Sequence, residues 1–147
     1  MINEFRGKYF FLSNFYTDEK NPIIYNGISY ICAEAAFQAQ KDPSRSKEFS
    51  NILPNKAKAL GKRVNLRPDW ENVKDQIMED ILRIKFKPSR NNYLFKKLIN
   101  TYKEKLVEGN NWNDTYWGMI KDSDGNYTIG KNKLGKILMK IIDEHIK

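Results

Sequence analysis

Cysteine and histidine are almost absent from this chain, whose 147 residues include one of each, Cys32 and His145. A single cysteine excludes an internal disulfide, and a lone histidine near position 147 argues against a zinc site or a histidine-based catalytic triad. The chain also lacks an N-terminal signal segment and any apolar run long enough to span a bilayer. We therefore expect a soluble cytoplasmic protein that needs no metal ion and no cofactor.

Acidic residues are scarce relative to basic ones. The 26 lysines and arginines outnumber the 18 aspartates and glutamates, which gives a formal net charge of +8. This excess favours an anionic partner such as a phosphorylated metabolite or nucleic acid, although a lysine-rich solvated surface gives the same total. With 147 residues, of which 40% are hydrophobic, the chain is long enough to bury a core, and we expect one domain over 1–147.

Local patterns predict a mostly helical α+β protein with a β-hairpin and a few short strands. Asn26-Gly27 stands between two short apolar runs, which is a strong hairpin signal. Tyr9-Phe10-Phe11-Leu12 has the aromatic content of a buried strand. Strands do not alternate regularly with helices, and this argues against a doubly wound parallel sheet.

Three stretches have helical patterns. Alanine-rich sequence follows Cys32, and an apolar stripe at helical spacing begins at Trp70. A last helix begins after Asn132, and its buried side is predicted to consist of Leu134, Ile137, Leu138, Ile141, Ile142 and His145.

The first candidate for chemistry is Glu34. In a helix, Glu34, Phe37, Gln38 and Lys41 share one face. A carboxylate among small residues can lie partly buried and act on a bond. The alternative is a solvated helix face with no chemical role.

A second candidate is the pair Asp114 and Trp117, which lie three residues apart in an asparagine-rich stretch. No regular element requires them, and an exposed indole beside a carboxylate suits a flat ring attached to a labile group. Trp70, in the first turn of its helix, either caps the core or walls a binding site.

A third candidate is the glycine- and lysine-rich run from Gly130 to Lys136. Its spacing matches a P-loop, but Ile137 stands where a hydroxyl must reach magnesium, so a P-loop is excluded. Backbone amides at the helix start, together with lysines, can still hold a phosphate. The alternative is that Asn132 is an ordinary cap and the lysines are solvated.

Four ordered motifs cover most of the chain, from about Phe10 to Met139. They are Glu34-x-x-Phe37-Gln38-Ala39-Gln40-Lys41; Leu66-Arg67-x-x-Trp70-x-x-Val73-Lys74-x-Gln76-x-Met78; Leu106-Val107-Glu108 with Asp114-x-x-Trp117-Gly118; and Gly130-Lys131-Asn132-x-Leu134-Gly135-x-x-Leu138-Met139. Ser13-Asn14-Phe15 fits the same pattern. In this order the motifs resemble one known family, the NADAR superfamily of YbiA-like N-glycosidases.

The resemblance implies hydrolysis of the N-glycosidic bond between ribose and a base. It implies catalytic roles for Glu34 and Asp114, and substrate binding by Asn14, Lys41, Trp70, Trp117, Gly130, Lys131 and Asn132. The implied substrate is a phosphorylated riboside, such as a ribosylamino-pyrimidine intermediate of riboflavin biosynthesis. ADP-ribosylated guanine in nucleic acid is the alternative substrate, and a non-catalytic module that binds ADP-ribose or nucleic acid is the alternative function.

The chain departs from the family pattern at three positions. Ala33 and Ala35 flank the glutamate where many relatives have a hydroxyl residue and often a histidine, and Ile142 replaces an arginine. These departures bear on how the glutamate is held and on phosphate contacts. We expect the regions around positions 34, 70 and 117 to converge on one hollow lined with acid and indole.

Overall fold

The computed structural model describes residues 1–147, and its architecture is mostly helical α+β, as predicted. The chain forms two short 3-10 helices, Gly7–Leu12 and Pro43–Phe49, besides its α-helices and strands. The α-helices are α1 (Ala33–Ala39), α2 (Pro54–Gly61), α3 (Trp70–Lys85), α4 (Asn92–Ile99) and α5 (Lys133–Ile146). The strands are β1 (Ile23–Tyr25), β2 (Ile28–Tyr30), β3 (Ile120–Lys121) and β4 (Tyr127–Ile129). None of the helices combines the length and the apolar character needed to cross a membrane.

The strands form two antiparallel hairpins. The first is the one that Asn26-Gly27 predicts, and both turn residues have positive φ, 51° and 81°. Such angles at both central positions are those of the tight turn that matches strand twist. In the second hairpin, the Asp122 carboxylate accepts the backbone amides of Asp124 and Asn126 and so closes the turn between β3 and β4.

The chain divides into two compact units. The first unit, Asn14–Asn92, contains the hairpin of β1 and β2 together with α1, α2 and α3. The second unit combines Met1–Ser13 with Tyr93–Lys147 and contains most of α4, the second hairpin and α5. A single domain over 1–147 stays a prediction.

Helix α1 is the centre of the first unit. All of its residues are buried, and it packs against both α2 and α3. Its alanines present little side-chain volume, which lets neighbouring helices approach closely. The apolar stripe of α3 is confirmed at Trp70, Ile77 and Ile81, which are all buried.

Helix α5 supplies the apolar face of the second unit. Its predicted stripe is confirmed at Leu134, Leu138, Ile141 and Ile142, which are buried. The prediction that His145 lies on the same buried side is wrong, because its side chain is exposed in the last turn. The imidazole packs edge-on against Phe95, with ring centroids 5.0 Å apart.

The predicted strand at Tyr9–Leu12 is also wrong. These residues belong to the 3-10 helix Gly7–Leu12, in which Phe11 and Leu12 are buried and Phe10 is exposed. The helix begins at Gly7 with a φ of 57°, a conformation in which glycine carries no steric penalty. A run of four apolar residues has no readable period, so composition alone favoured a strand.

Candidate active site

Glu34 lies in the first turn of α1 with only 8% of its surface exposed. Its backbone amide donates to the carbonyl of Asn14 at 3.0 Å, which fixes the start of the helix. The Sγ atom of Cys32 accepts the amide of Ala35 at 3.4 Å and serves as the N-cap. The side chain lies at the end of the helix at which the backbone dipole is positive. The alternative of a solvated Glu34 face is therefore wrong.

Gln38 holds the Glu34 carboxylate from one turn further along α1. Its Nε2 donates to Glu34 Oε1 at 3.5 Å, while its own Oε1 has no hydrogen-bond partner. The Gln38 amide is 6% exposed and lies against Gly61 of α2. A Cβ at position 61 would stand 2.0 Å from Gln38 Oε1, so only glycine permits this approach. Gln38 therefore leaves a buried acceptor beside the carboxylate.

Lys41 and two aromatic rings complete this face of α1. The Lys41 ammonium lies 5.9 Å from the centroid of the Trp70 indole, a cation–π distance. The Phe37 and Trp70 rings pack at a tilt with centroids 5.0 Å apart. Burial lowers the pKa of Lys41, and the negative charge of Glu34 opposes that shift. Trp70 thus both packs on the core and borders the charged groups.

Asn14 adds a second unused acceptor near the start of α1. Its side chain is 8% exposed, and its Nδ2 makes a weak contact of 3.5 Å with Met78 Sδ. Asn14 Oδ1 has no hydrogen-bond partner in the protein. Buried polar atoms normally find partners, so the oxygens of Asn14 and Gln38, which are closed off from solvent, are unsatisfied groups that the fold keeps beside Glu34.

A buried lysine lies behind the start of α1. Burial, together with the nearby positive charge of Arg90, lowers the pKa of Lys85 to about 7. The Lys85 ammonium lies 4.9 Å from the Phe86 ring and 5.5 Å from the Tyr16 ring. Burial also raises the pKa of the Cys32 thiol to about 11, so this thiol is a poor nucleophile at neutral pH.

In the second unit, Asp114 organises a turn. Its Oδ1 accepts the backbone amides of Tyr116 at 3.1 Å and Trp117 at 2.9 Å. Carboxylates often close a turn in this way. A local element therefore does require Asp114, contrary to the sequence interpretation, and its catalytic role stays a prediction. The Trp117 indole packs edge-on against Tyr116, with centroids 4.9 Å apart.

The backbone amides at the start of α5 are already bonded. Those of residues 131, 132, 133 and 134 donate to the carbonyls of residues 115, 118, 116 and 117, respectively. The prediction that these amides receive a phosphate is therefore wrong. Two cationic side chains lie in the same region: the ammonium groups of Lys131 and Lys133 are each 5.1 Å from the centroid of the Tyr116 ring. Gly130 has a φ of 138° and packs on the Gly118 carbonyl, where a Cβ would stand at 2.5 Å.

Asn132 joins α5 to a distant segment. It adopts the left-handed conformation, with a φ of 51°, and is 2% exposed. Its Oδ1 accepts the Glu108 amide at 3.0 Å, and its Nδ2 donates to the Leu106 carbonyl at 2.9 Å. Its side chain makes no capping bond to α5, so the interpretation as an ordinary cap is also wrong. Substrate binding by Asn132 stays a prediction.

Sequence reasoning missed Asn110, which holds the loop that carries Asp114. Asn110 is 2% exposed. Its Oδ1 accepts the amides of Trp112 and Asp114, and its Nδ2 donates to the Asp114 carbonyl at 2.9 Å. Its setting in Gly109-Asn110-Asn111 resembles any turn, so composition carries no signal for this role.

The first unit brings Asn14, Glu34, Lys41 and Trp70 together, and the second unit groups Asp114 and Trp117 with the run from Gly130 to Asn132. That Trp117 joins Glu34 and Trp70 in one hollow stays a prediction. The fold and the first unit's site define a mostly helical α+β protein with a buried carboxylate beside an ammonium group and an indole.

The chain belongs to the NADAR domain family, whose model matches residues 3–144. The resemblance seen in the sequence motifs is therefore confirmed.

Among curated proteins, the chain is 37% identical over 128 residues to N-glycosidase YbiA of Escherichia coli (strain K12), an alignment that covers 84% of this chain and 75% of that protein. It is 32% identical over 141 residues to riboflavin biosynthesis protein VVA0006 of Vibrio vulnificus, which covers 91% of this chain and 35% of that protein. The NMR structure of E. coli YbiA superposes with a TM-score of 0.76 at 33% identity and covers 99% of this chain and 87% of that one. The YbiA-like fold is thereby confirmed.

Proposed function

We propose that the protein is an N-glycosidase that hydrolyses the ribose–base bond of a phosphorylated riboside, such as a ribosylamino-pyrimidine intermediate of riboflavin biosynthesis. The observation that carries this proposal is the buried Glu34 carboxylate, held by Gln38 next to Lys41. Relatives named N-glycosidases support the reaction class, since these enzymes are hydrolases acting on N-glycosyl bonds. The relative named a riboflavin biosynthesis protein supports the substrate class.

The chemistry of a buried carboxylate suits this bond. As the bond from C1′ of the ribose to nitrogen breaks, positive charge develops on the sugar, and the negative charge of Glu34 can stabilise it or activate the attacking water. Water adds its oxygen to C1′ and its protons are divided between the products, so that a ribose phosphate and the free base leave. Burial strengthens this electrostatic effect because water screens it less.

The neighbours of Glu34 match the remaining parts of a riboside. Lys41 can contact a phosphate. Trp70, which lies beside Lys41, can contact the base.

One observation favours a second substrate. The formal net charge of +8 suits a polyanion, and a protein that removes ADP-ribose from guanine in nucleic acid would use the same carboxylate on a related bond. A third possibility is a module that binds ADP-ribose or nucleic acid without cleavage, because Ala33 and Ala35 flank Glu34 with no polar support of their own.

A parallel assay tests the proposal. Purified protein and its Glu34→Gln variant are incubated with a phosphorylated ribosylamino-pyrimidine and with an ADP-ribosylated guanine oligonucleotide, and released base and sugar are separated by chromatography. Release of ribose phosphate from the first substrate only, abolished in the variant, is the expected result. Cleavage of the oligonucleotide alone would contradict the riboside substrate and identify ADP-ribosylated guanine as the substrate. Binding of either compound without cleavage would identify the protein as a binding module.

A further inference from the structure

Four lysines lie within or just after helices α1, α2 and α3 of the first unit. Lys41 follows the end of α1 and is partly exposed. Lys58 and Lys62 lie one turn apart in α2 and just after its end, and Lys74 lies one turn after Trp70 in α3. The Lys41 ammonium lies 5.9 Å from the Trp70 ring of α3, and Gln38 of α1 lies against Gly61 of α2, which directly precedes Lys62. The packing of α1 on α2 and α3 therefore brings these lysines towards Lys41.

The charges of these lysines act on one another. The Lys41 ammonium is repelled by Lys62, Lys58 and Lys74, in that order, and is attracted by Glu34. Lys74 is paired with Glu71 at 2.8 Å, but the Glu71 side chain is 76% exposed, so solvent screens that pair. Like charges held close together are unfavourable unless an anion lies between them.

Several of these lysines are restricted by packing. The Lys74 side chain is only 14% exposed, and Lys41 and Lys58 are half-buried. Lysines that extend freely into water would separate to reduce repulsion, and partly buried ones do so less. Packing thus restricts Lys41, Lys58 and Lys74, whereas Lys62 is exposed at the edge of the cluster.

We propose that Lys41, Lys58, Lys62 and Lys74 form a phosphate subsite that binds the phosphate monoester or diphosphate of the ribosyl substrate beside Glu34. This inference rests on the proposed function for its substrate. It assigns phosphate recognition to the first unit, whereas the start of α5 has its backbone amides already bonded. A phosphate accepts charge-assisted hydrogen bonds from ammonium groups and removes their mutual repulsion.

The subsite explains how a negatively charged substrate approaches a carboxylate. The phosphate would be attracted by four cations while the ribose is placed over Glu34. The phosphate group supplies binding energy remote from the reacting bond, which can hold C1′ in place for attack.

The test measures binding without catalysis. In a Glu34→Gln background, the double variant Lys58→Gln/Lys62→Gln is compared by calorimetry with the control Lys47→Gln/Lys56→Gln. The control removes the same charge, and both of its lysines are exposed. Lys56 lies two residues from Lys58, which places it on the opposite side of α2. The probes are ribose 5-phosphate, ADP-ribose and a single-stranded oligonucleotide.

The Lys58/Lys62 variant is expected to weaken binding of ribose 5-phosphate or ADP-ribose by ~10-fold or more relative to the control, as lost charged hydrogen bonds imply. If only the affinity for ribose 5-phosphate falls, the subsite binds a phosphate monoester. If only the affinity for ADP-ribose falls, it binds a diphosphate. Values within about 2-fold of the control, or a loss confined to the oligonucleotide, would overturn the subsite. Because binding is read directly, the subsite can stand even where wild-type protein cleaves neither candidate substrate.

Discussion

The surroundings of α1 in the first unit and the loop from residue 106 to residue 134 in the second unit use similar polar residues in opposite ways. Around α1, Asn14 and Gln38 keep acceptor atoms without partners beside the Glu34 carboxylate. In the loop, Asn110 and Asn132 use both ends of their side chains to bind backbone groups. Satisfied side-chain amides hold the chain in shape, whereas a buried acceptor without a partner costs stability. We therefore expect substitutions of the loop asparagines to act on stability and substitution of Glu34 to act on activity.

The largest expected effect is on the stability of the loop. Asn132→Ala leaves the Glu108 amide and the Leu106 carbonyl without their partner and places alanine in the left-handed conformation. We expect the free energy of unfolding to fall by about 3 kcal/mol. Urea denaturation measures the free energy of unfolding. Asn132→Gly is the control, because it loses the same side-chain hydrogen bonds as Asn132→Ala but has no backbone strain at positive φ. A fall of less than ~1 kcal/mol in the free energy of unfolding would show that the hydrogen bonds of Asn132 contribute little to stability.

Around α1 the effect should fall on activity instead. Glu34→Gln keeps the shape of the side chain but removes its charge, and we expect turnover to fall at least ~100-fold, about 2.7 kcal/mol in the barrier. The free energy of unfolding should stay within ~1 kcal/mol of the wild-type value. Steady-state rates and urea denaturation test both parts, and a near-normal rate would remove Glu34 from the mechanism.

At Asp114, a role in catalysis and a role in holding the loop can be separated by two substitutions. Asp114→Asn keeps the Oδ1 acceptor for the amides of Tyr116 and Trp117, whereas Asp114→Ala removes it. Both variants should lose at least ~100-fold in turnover where the carboxylate acts directly. Only the alanine variant should also lose about 1–2 kcal/mol of stability, as for a lost cap. An active Asp114→Asn enzyme would assign Asp114 to the loop's structural residues alone.

The last prediction concerns the pH dependence of stability that the buried Lys85 produces. Its pKa is about 7 in the folded protein, against ~10.4 for an exposed lysine. Between pH 7 and 9 the unfolded chain holds a proton that the folded protein has lost, so stability should rise with pH by up to ~1.4 kcal/mol per unit. Above pH 9 the raised pKa of Cys32 acts in the opposite direction.

Lys85→Met should remove this dependence. Denaturation curves of wild-type and variant protein at pH 7, 8 and 9 provide the measurement. The two sets of stabilities should converge as pH rises, since deprotonation relieves the cost of burying the charge. A constant difference across this range would mean that Lys85 does not change its charge there.

The sequence predicts those features that depend on neighbouring residues. The Asn26-Gly27 hairpin and the apolar stripe of α5 follow from local turn chemistry and periodicity, and both are confirmed. The shared face of Glu34 and Gln38 was predictable for the same reason. Their burial was not, because it depends on the packing of α2 and α3 against α1. The bonds of Asn132 reach residues 106 and 108, and no local pattern encodes contacts over that separation.

Gly61 of α2 affects the Glu34 carboxylate of α1 through Gln38. Since any side chain at position 61 must displace the Gln38 amide, alanine there would alter the orientation and the local dielectric of Glu34 without touching it. The hydrogen bond between Gln38 and Glu34 therefore depends on one small residue of the neighbouring helix. A change in rate in a Gly61→Ala variant would therefore result from the displaced Gln38 amide, while the reacting groups themselves stay intact.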